Sequence, residues 1–599
     1  MRRTTLALAA LLMLGTAASA EPAPALNWQG WSPDVFAKAK AEGKFVILDL
    51  KAVWCHWCHV MEGTTYVDPK VAGLLASKYL TVRVDQDANP DLSNRYGDWG
   101  WPATIIFAPD GSELAKRRGY IPPEGMAALL KAVIDDPTPG PSVSAEMEVV
   151  PATSPLLDAA QRSALAALGK DAYDAKNGGW GDGQKFIDPD GMDWLFVRAE
   201  AGEADAVKQA RQTLDAAIKI MDPVAGGIYQ YSETKEWQRP HFEKIMWYQA
   251  NGLRQYSESY ARWQDSKHKQ AASNFYRYLT TTFQSPEGAF YTSQDADVDQ
   301  NMPGKAYYAL DAKARAALGR EPRVDTAVYA RENGWAISGL VAYANTFNDP
   351  AALAAAEKAA TYIVANRRMD TGIYKHGAED RGGPYLGDTL AMGQAALDLY
   401  GATGKRDWLT VAGDAGRVIA AKFKDDVGGY LTSLHGETAT GILAKPVRIA
   451  DEQSQVARFE NRVYRTLGGD DFKAASEHAM RYLASASLLE LGRPMPGLLV
   501  ADREVAAEPA HITIVGAKSD ARSQHLDEAA RAYPARYKRL DWWDTSEGPL
   551  ANPDVTYPVL AEPAAFVCTN HICSLPLFTA DELKATIKRL TSPEPRSPT

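Results

Sequence analysis

The feature that most constrains the fold of this chain is an apolar strand followed closely by a pair of cysteines. Residues 45–50 are apolar except for Asp49, and the motif Cys-His-Trp-Cys begins five residues later at Cys55. A helix is predicted to start at the motif, so the dithiol should lie at a helix N-terminus, where free N–H groups and the helix dipole stabilise a thiolate. Cys55 is therefore the predicted nucleophile and Cys58 the resolving thiol. Asp49, within the strand, is predicted to relay a proton.

The same residues allow two other interpretations. With His59 the motif spells Cys-x-x-Cys-His, the attachment sequence of c-type haem, but a haem site does not require a preceding strand. Zinc bound by the cysteines and a histidine would need further ligands nearby. We therefore favour thiol chemistry with no cofactor and no metal. His56 could stabilise the Cys55 thiolate and make the disulfide more oxidising, or it could simply face solvent.

The residues after the motif extend the pattern. The segment GWPATIIF places Pro102 directly before an apolar strand, as in the cis-proline loop that faces the cysteines of thioredoxins. Residues 25–135 are predicted to alternate as β-α-β-α-β-β-α, after a first helix over 32–41 capped by Ser32. This segment resembles the thioredoxin fold along its whole length. The resemblance implies thiol-disulfide exchange with a protein dithiol or disulfide partner.

The N-terminus predicts export. Arg2 and Arg3 precede an apolar run from Leu6 to Leu14, and Ala18-Ser19-Ala20 forms a cleavage site. We expect residues 1–20 to be a cleaved signal peptide, the mature protein to be periplasmic or secreted, and no membrane insertion after cleavage. The net charge of −10 and the lack of a basic run disfavour a nucleic-acid partner.

Beyond residue 135 the pattern becomes helical. A Pro- and Ser-rich linker over 136–155 separates the domain at 21–135 from Ala-rich amphipathic helices over 156–490. A glycine turn recurs between these helices about every fifty to eighty residues, which predicts helical hairpins closed into an α/α toroid. The turns are NGGW at 177–180, AGGIY at 225–229, EGAFY at 287–291, TGIY at 371–374 and VGGYL at 427–431. A small α/β region is predicted over 491–599.

Longer segments resemble one known family. CHWCHVME at 55–62, GGIYQYSETKEWQRPHFEKIMWYQA at 226–250, SPEGAFYTSQDADV at 285–298 and CTNHICSLP at 568–576 are similar to segments of the spermatogenesis-associated protein 20-like proteins. The resemblance implies a multidomain chain: an α/β thioredoxin-like domain, an all-α (α/α)6 six-hairpin glycosidase-like toroid and a small α/β C-terminal region. Tyr248 and Gln294 replace acidic residues of the family pattern, which weakens the implication of sugar chemistry.

The toroid and the second cysteine pair leave alternatives open. Glycoside hydrolysis needs two carboxyl groups, and an epimerase would use histidines for proton transfer. The candidate residues of a carbohydrate site are Glu243, Asp295, Asp297, Asp388 and His241, with His376 as a second histidine. The alternative is that these residues cap helices and form ion pairs, leaving the toroid to bind a ligand or a protein. Cys568 and Cys573 form either a structural clip or a second redox pair.

Overall fold

The computed structural model of the chain describes residues 24–591, except positions 33, 144–146, 380–382, 435–440, 446 and 570–571. The predicted signal peptide therefore lies outside the described residues. An α/β domain, a ring of helices and a second α/β domain follow one another along the chain. Within the described ranges, no helix combines the length and apolar character needed to cross a membrane.

The N-terminal domain has the predicted thioredoxin-like architecture. Its sheet has the order β2-β1-β3-β4, with β1 and β2 parallel and both β3 and β4 antiparallel to their neighbours. Apolar residues on both faces of β1 are fully buried because helices cover the two sides of the sheet. The elements are α1 Val35–Glu42, β1 Phe45–Lys51, α2 His56–Thr64, α3 Pro69–Lys78, β2 Tyr79–Asp85, α4 Pro90–Tyr96, β3 Ala103–Phe107, β4 Glu113–Arg118 and α5 Pro123–Asp135.

The structure completes one local prediction in this domain and corrects another. The predicted order has a helix between the second and third strands but assigns no residues to it; this helix is α4, whose first residue, Pro90, is a common helix-start residue. Its seven residues are too few for a clear hydrophobic period. The predicted N-cap of α1 was Ser32, but α1 begins after Asp34. The Ser32 hydroxyl donates a hydrogen bond to the Asp34 carboxylate instead of capping the helix.

The central domain is a closed ring of helical hairpins, as predicted. Six inner helices each contact the next, and contacts between α20 and α7 close the ring. The inner helices are α7 Pro189–Glu200, α9 Met246–Trp263, α13 Ala330–Phe347, α15 Leu386–Thr403, α17 Ala450–Leu467 and α20 Pro496–Ala506. The outer and connecting helices are α6 Ala159–Asp171, α8 Ala204–Ala217, α10 Ser266–Tyr278, α11 Gly304–Tyr308, α12 Ala312–Leu318, α14 Pro350–Arg367, α16 Arg406–Val418, α18 Asp470–Leu483 and α19 Ala486–Leu489. Because α20 pairs with α6, the helical ring extends past residue 490 to Ala506.

The recurring glycine turns share one position in the fold. Each follows an outer helix and forms an isolated β-bridge, and the bridged pairs are Tyr173–Trp180, Met221–Ile228, Gln284–Phe290, Arg368–Tyr374 and Lys424–Tyr430. Glycines in these turns have positive φ, for example 75° at Gly227, which favours glycine. Amide side chains near the start of the following inner helix bind the turn: Gln249 binds both backbone groups of Ile228, and Gln453 those of Tyr430.

Short strands near the start of α9 form the surface that meets the N-terminal domain. They are β5 Tyr231–Ser232, β6 Pro240–His241, β7 Lys244–Ile245, β8 Ser293–Gln294 and β9 Val324–Asp325. The strands β7, β8 and β9 form a three-stranded antiparallel sheet. This sheet places Glu243, just before β7, beside Asp295, just after β8. The thioredoxin-like domain therefore docks on the end of the ring where the inner helices begin.

The C-terminal domain repeats the sheet pattern of the N-terminal domain. Its order is β11-β10-β12-β13, with β10 and β11 parallel and the other neighbours antiparallel. The elements are β10 Ala510–Val515, α21 Ala521–Ala532, β11 Lys538–Trp543, β12 Ala564–Thr569, β13 Ile572–Cys573 and α22 Ala580–Thr591. In the N-terminal domain the cysteine motif lies between β1 and α2. The corresponding segment of the C-terminal domain, residues 516–520 between β10 and α21, contains no cysteine. A disulfide joins Cys568 and Cys573, which face each other across β12 and β13.

Candidate active site

The first cysteine pair lies where the sequence predicts it, at the start of α2. Cys55 and Cys58 form a disulfide, and Cys55 is the N-cap residue, whose Sγ accepts a hydrogen bond from the Cys58 amide at 3.1 Å. The peptide bond between Trp101 and Pro102 is cis, and Pro102 is buried. Trp54 packs edge-on against Trp101, with 5.7 Å between ring centroids. The strand β1 and the cis-proline loop together hold the dithiol.

Asp49 lies in the middle of β1 and is 2% exposed. Arg83 donates from Nε to Asp49 Oδ2 at 2.7 Å, and the Arg83 guanidinium stacks 4.0 Å from the Trp28 ring centroid. Burial raises the pKa of Asp49, although Arg83 opposes that shift. Asp49 is thus a buried carboxyl with a fixed cationic partner that the sequence analysis did not identify. Its role as a proton relay stays a prediction.

The toroid covers the dithiol. Cys55 and Cys58 are only 3% and 2% exposed, and Ile245 from β7 packs against them. The backbone of the cysteine loop also meets the toroid: the Ala296 amide donates to the Trp54 carbonyl at 3.4 Å, and Arg323 Nη2 donates to the Val53 carbonyl at the same distance. Ile245 and Arg323 are not among the predicted site residues, because no local pattern in the sequence connects them with the cysteines.

Three carboxyl groups of the toroid face α2. The His56 amide donates to Glu243 Oε1 at 3.3 Å, His56 Nδ1 lies 2.5 Å from Asp297 Oδ2, and His59 Nδ1 lies 3.9 Å from Asp295 Oδ1. The hydrogen bond to Asp297 raises the pKa of His56. Burial raises the pKa of Glu243 to about 7. His56 therefore neither points to solvent nor stands alone beside Cys55, because a carboxylate neutralises its charge.

His59, Asp295 and Asp297 could together hold a divalent cation, since one ligand atom of each lies within 4.8 Å of the others. Both carboxylate oxygens of Asp297 and Oδ1 of Asp295 already have hydrogen-bond partners within the protein, however. Asp297 accepts from His56 and from the Gly304 amide, and Asp295 Oδ1 accepts from the Asp297 amide. The contacts describe an ion-pair network between the two domains.

Asp388 takes part in a second contact between the domains. It accepts a hydrogen bond from His376 Nδ1 at 2.9 Å, and His376 Nε2 lies 2.7 Å from the Asp87 carbonyl oxygen in the thioredoxin-like domain. Trp54 Nε1 donates to the Asp87 carboxylate at 2.7 Å. This network therefore connects the first turn of α15 with the tryptophan that precedes Cys55.

The interior of the ring holds a cavity of about 680 Å³. Trp247 and Trp335 line it together with polar side chains at or near the starts of the inner helices, namely Asp188, Asp190, Arg331, Glu452 and Gln455. Residues of the C-terminal domain close the other end, where Arg536 Nη1 donates to Glu258 Oε1 at 2.8 Å.

The predicted carbohydrate-site residues do not line this cavity. Glu243, Asp295, Asp297 and His241 lie near the cysteine pair, and Asp388 lies in the second contact between domains. The reason is that Glu243, Asp295, Asp297 and His241 lie in the segments before α9 and α13 that contact the docked domain, whereas Asp388, in the first turn of α15, is held by His376. The residues that line the cavity could have been predicted from their position, because they are polar residues close to the start of each predicted helix.

Comparison with known proteins agrees with the family resemblance that the sequence motifs indicate. Residues 18–135 match the Thioredox_DsbH family, described as "Protein of unknown function, DUF255". Spermatogenesis-associated protein 20 of Mus musculus is 27% identical over 338 residues, which is 50% of this chain and 43% of the mouse protein. The match thus spans less than half of that relative's length. The resemblance to spermatogenesis-associated protein 20 is confirmed.

Two further similarities concern single domains. The thiol:disulfide interchange protein DsbD 2 of Pseudomonas aeruginosa is 39% identical over 85 residues, 14% of each chain. The structure of cellobiose 2-epimerase from Bacillus thermoamylovorans aligns with a TM-score of 0.44 and 13% identity, over 54% of this chain and 86% of that one.

Proposed function

We propose that this protein is an exported thiol-disulfide oxidoreductase of the periplasm or the secreted space. The observation that carries the proposal is the Cys55–Cys58 disulfide at the start of α2, beside the cis Pro102 loop of a thioredoxin-like sheet. The similarity of the same domain to a thiol:disulfide interchange protein supports it. Export rests on the N-terminal sequence alone.

The chemistry is a two-electron exchange. In the reduced protein, the Cys55 thiolate attacks one sulfur of a partner disulfide, and the other partner sulfur leaves as a thiolate that takes up a proton. Cys58 then loses its proton and attacks Cys55 Sγ, which forms the Cys55–Cys58 bond and releases the second partner thiol. The partner gains two electrons and two protons. A thiol or dithiol donor restores the reduced protein, and the reverse sequence oxidises a partner dithiol.

Replacing Cys58 with alanine should trap the partners. Without the resolving thiol, the mixed disulfide at Cys55 persists, so adducts of higher mass should appear on a non-reducing gel and vanish with dithiothreitol. The full chain is expressed in a bacterium, and the periplasmic fraction is analysed by mass spectrometry, which should also find a mature N-terminus at Glu21. The Cys55→Ser/Cys58→Ala double variant is the control. Equal adducts in both variants would reject the mechanism, and absence from the periplasm would reject export.

A second function is proposed for the toroid: binding of a carbohydrate in its central cavity. Two tryptophans and several carboxyl and amide groups line about 680 Å³, a combination suited to a polyhydroxylated ligand. Titration with a panel of mono- and disaccharides should change the intrinsic fluorescence of the wild type. Trp335→Ala should abolish this response, whereas Trp57→Phe, outside the cavity, should retain it. No response to any sugar would reject this function.

A further inference from the structure

Glu243 brings a carboxyl group from the toroid to the N-terminus of the active-site helix. Its Oε1 accepts the His56 amide, which belongs to the peptide that follows Cys55. The residue is 3% exposed, and Oε2 has no hydrogen-bond partner within the part of the chain that the structure describes. The position is set by β7, which follows directly and pairs with β8.

This position matters for the reduced dithiol. The N-terminal amides of a helix stabilise a thiolate at the N-cap, and that stabilisation lowers the pKa of the thiol. A carboxylate bound to one of these amides takes up part of that stabilisation and repels a thiolate beside it. The reduced protein then becomes less stable relative to the disulfide, so the disulfide becomes a weaker oxidant.

The histidine of the motif does not compensate. A protonated His56 would favour a thiolate at Cys55, but its Nδ1 is paired with Asp297 at 2.5 Å. The imidazolium and the carboxylate together carry no net charge. Carboxyl groups of the toroid thus bind the adjacent histidine and one amide of the helix N-terminus, that of His56, whereas the Cys58 amide still donates to Cys55 Sγ.

We propose that Glu243 is a positioning residue through which the docked toroid keeps the Cys55–Cys58 pair a weak oxidant. The inference deepens the proposed function, since it concerns the same dithiol. The test measures the pKa of the Cys55 thiol and the exchange equilibrium with glutathione, and neither measurement requires a natural partner protein. A failure to find partners would therefore leave this test intact.

The protonation of Glu243 determines when the effect is present. The titratable and charged groups that face it are His56 from α2, Asp295 beyond β8, and His241, Tyr231 and Tyr248 from the toroid. Burial raises the pKa of Glu243 to about 7. The carboxyl group is therefore mostly ionised at pH 8 and mostly protonated at pH 6, so its influence on the dithiol should be strong at pH 8 and weak at pH 6.

The experiment compares Glu243→Gln with the wild type in the full-length chain. Glutamine keeps the acceptor for the His56 amide and removes the charge. We expect the pKa of the Cys55 thiol, followed by thiolate absorbance, to fall by about one unit, and the glutathione equilibrium at pH 8 to shift toward the reduced protein by about threefold to tenfold. At pH 6 the two proteins should agree within about twofold.

Two further variants complete the test. Glu460→Gln is the matched control, because Glu460 of α17 is also buried, neither of its oxygens has a hydrogen-bond partner among the described residues, and it packs beside Gly416 of α16; it should leave both values unchanged. Glu243→Met has a similar length and no charge, and it should shift both values in the same direction as Glu243→Gln even if the glutamine variant folds poorly. The proposal would be overturned if a folded Glu243→Gln or Glu243→Met protein had the wild-type thiol pKa and glutathione equilibrium. It would also be overturned if the glutathione equilibrium shifted equally at pH 6 and at pH 8.

Discussion

Replacing Cys55 with serine should reduce disulfide exchange by this protein to the uncatalysed rate, a loss on the order of 100-fold or more. A serine hydroxyl does not ionise near neutral pH, whereas the Cys55 thiol lies at the start of α2, where a thiolate can form. The measurement is the reduction of a short peptide disulfide with dithiothreitol as the electron donor. A short peptide is the appropriate substrate because the toroid leaves Cys55 only 3% exposed.

The second cysteine pair provides the control for this prediction. A Cys568→Ser/Cys573→Ser protein should retain the wild-type rate, because that disulfide joins two paired strand positions and lies in a separate domain. A Cys55→Ser protein that reacts at the wild-type rate would contradict the assigned nucleophile. Loss of activity in the Cys568→Ser/Cys573→Ser protein alone would instead make the C-terminal pair a redox relay.

The largest loss of stability is expected at Asp222, which is fully buried in the toroid. Its carboxylate accepts from Lys244 Nζ at 2.8 Å and from Arg315 Nη1 at 2.9 and 3.0 Å. Lys244 is also fully buried, and burial lowers its pKa to about 8. Asp222→Ala would leave two cations without their carboxylate partner in the interior, at a cost of about 3–5 kcal/mol.

Urea unfolding followed by circular dichroism measures this loss. Asp135→Ala is the matched control, because Asp135 pairs with Lys131 on the surface, where both side chains are more than half exposed. The control should lose no more than about 1 kcal/mol. A loss below about 1 kcal/mol in Asp222→Ala would show that the interior adapts to the missing carboxylate. Since β7 carries Lys244, we expect the docking of the N-terminal domain to weaken as well.

Local patterns in the sequence were sufficient for most of the fold. The apolar strand before Cys55, the cis-proline loop and the alternating elements identified the thioredoxin-like domain, since each depends on neighbouring residues. The glycine turns predicted the helical hairpins, because a positive φ at a fixed point after a helix is a local requirement. The bounds of the short α4 were not predicted, since seven residues show little periodicity. The repeated sheet pattern at the C-terminus was also missed, because strand pairing is a long-range property.

The sequence by itself determined the residues of the proposed chemistry: Cys55, Cys58 and the cis-proline loop beside them. Only the tertiary structure decided their environment. Glu243 and Asp297 lie more than 180 residues from His56 along the chain, and no local pattern connects them. They meet α2 because the segments before the inner helices turn toward the docked domain. Three carboxyl groups expected to serve a sugar site therefore lie against the first turn of α2, and we expect the electrostatics of the cysteine pair to depend on the toroid.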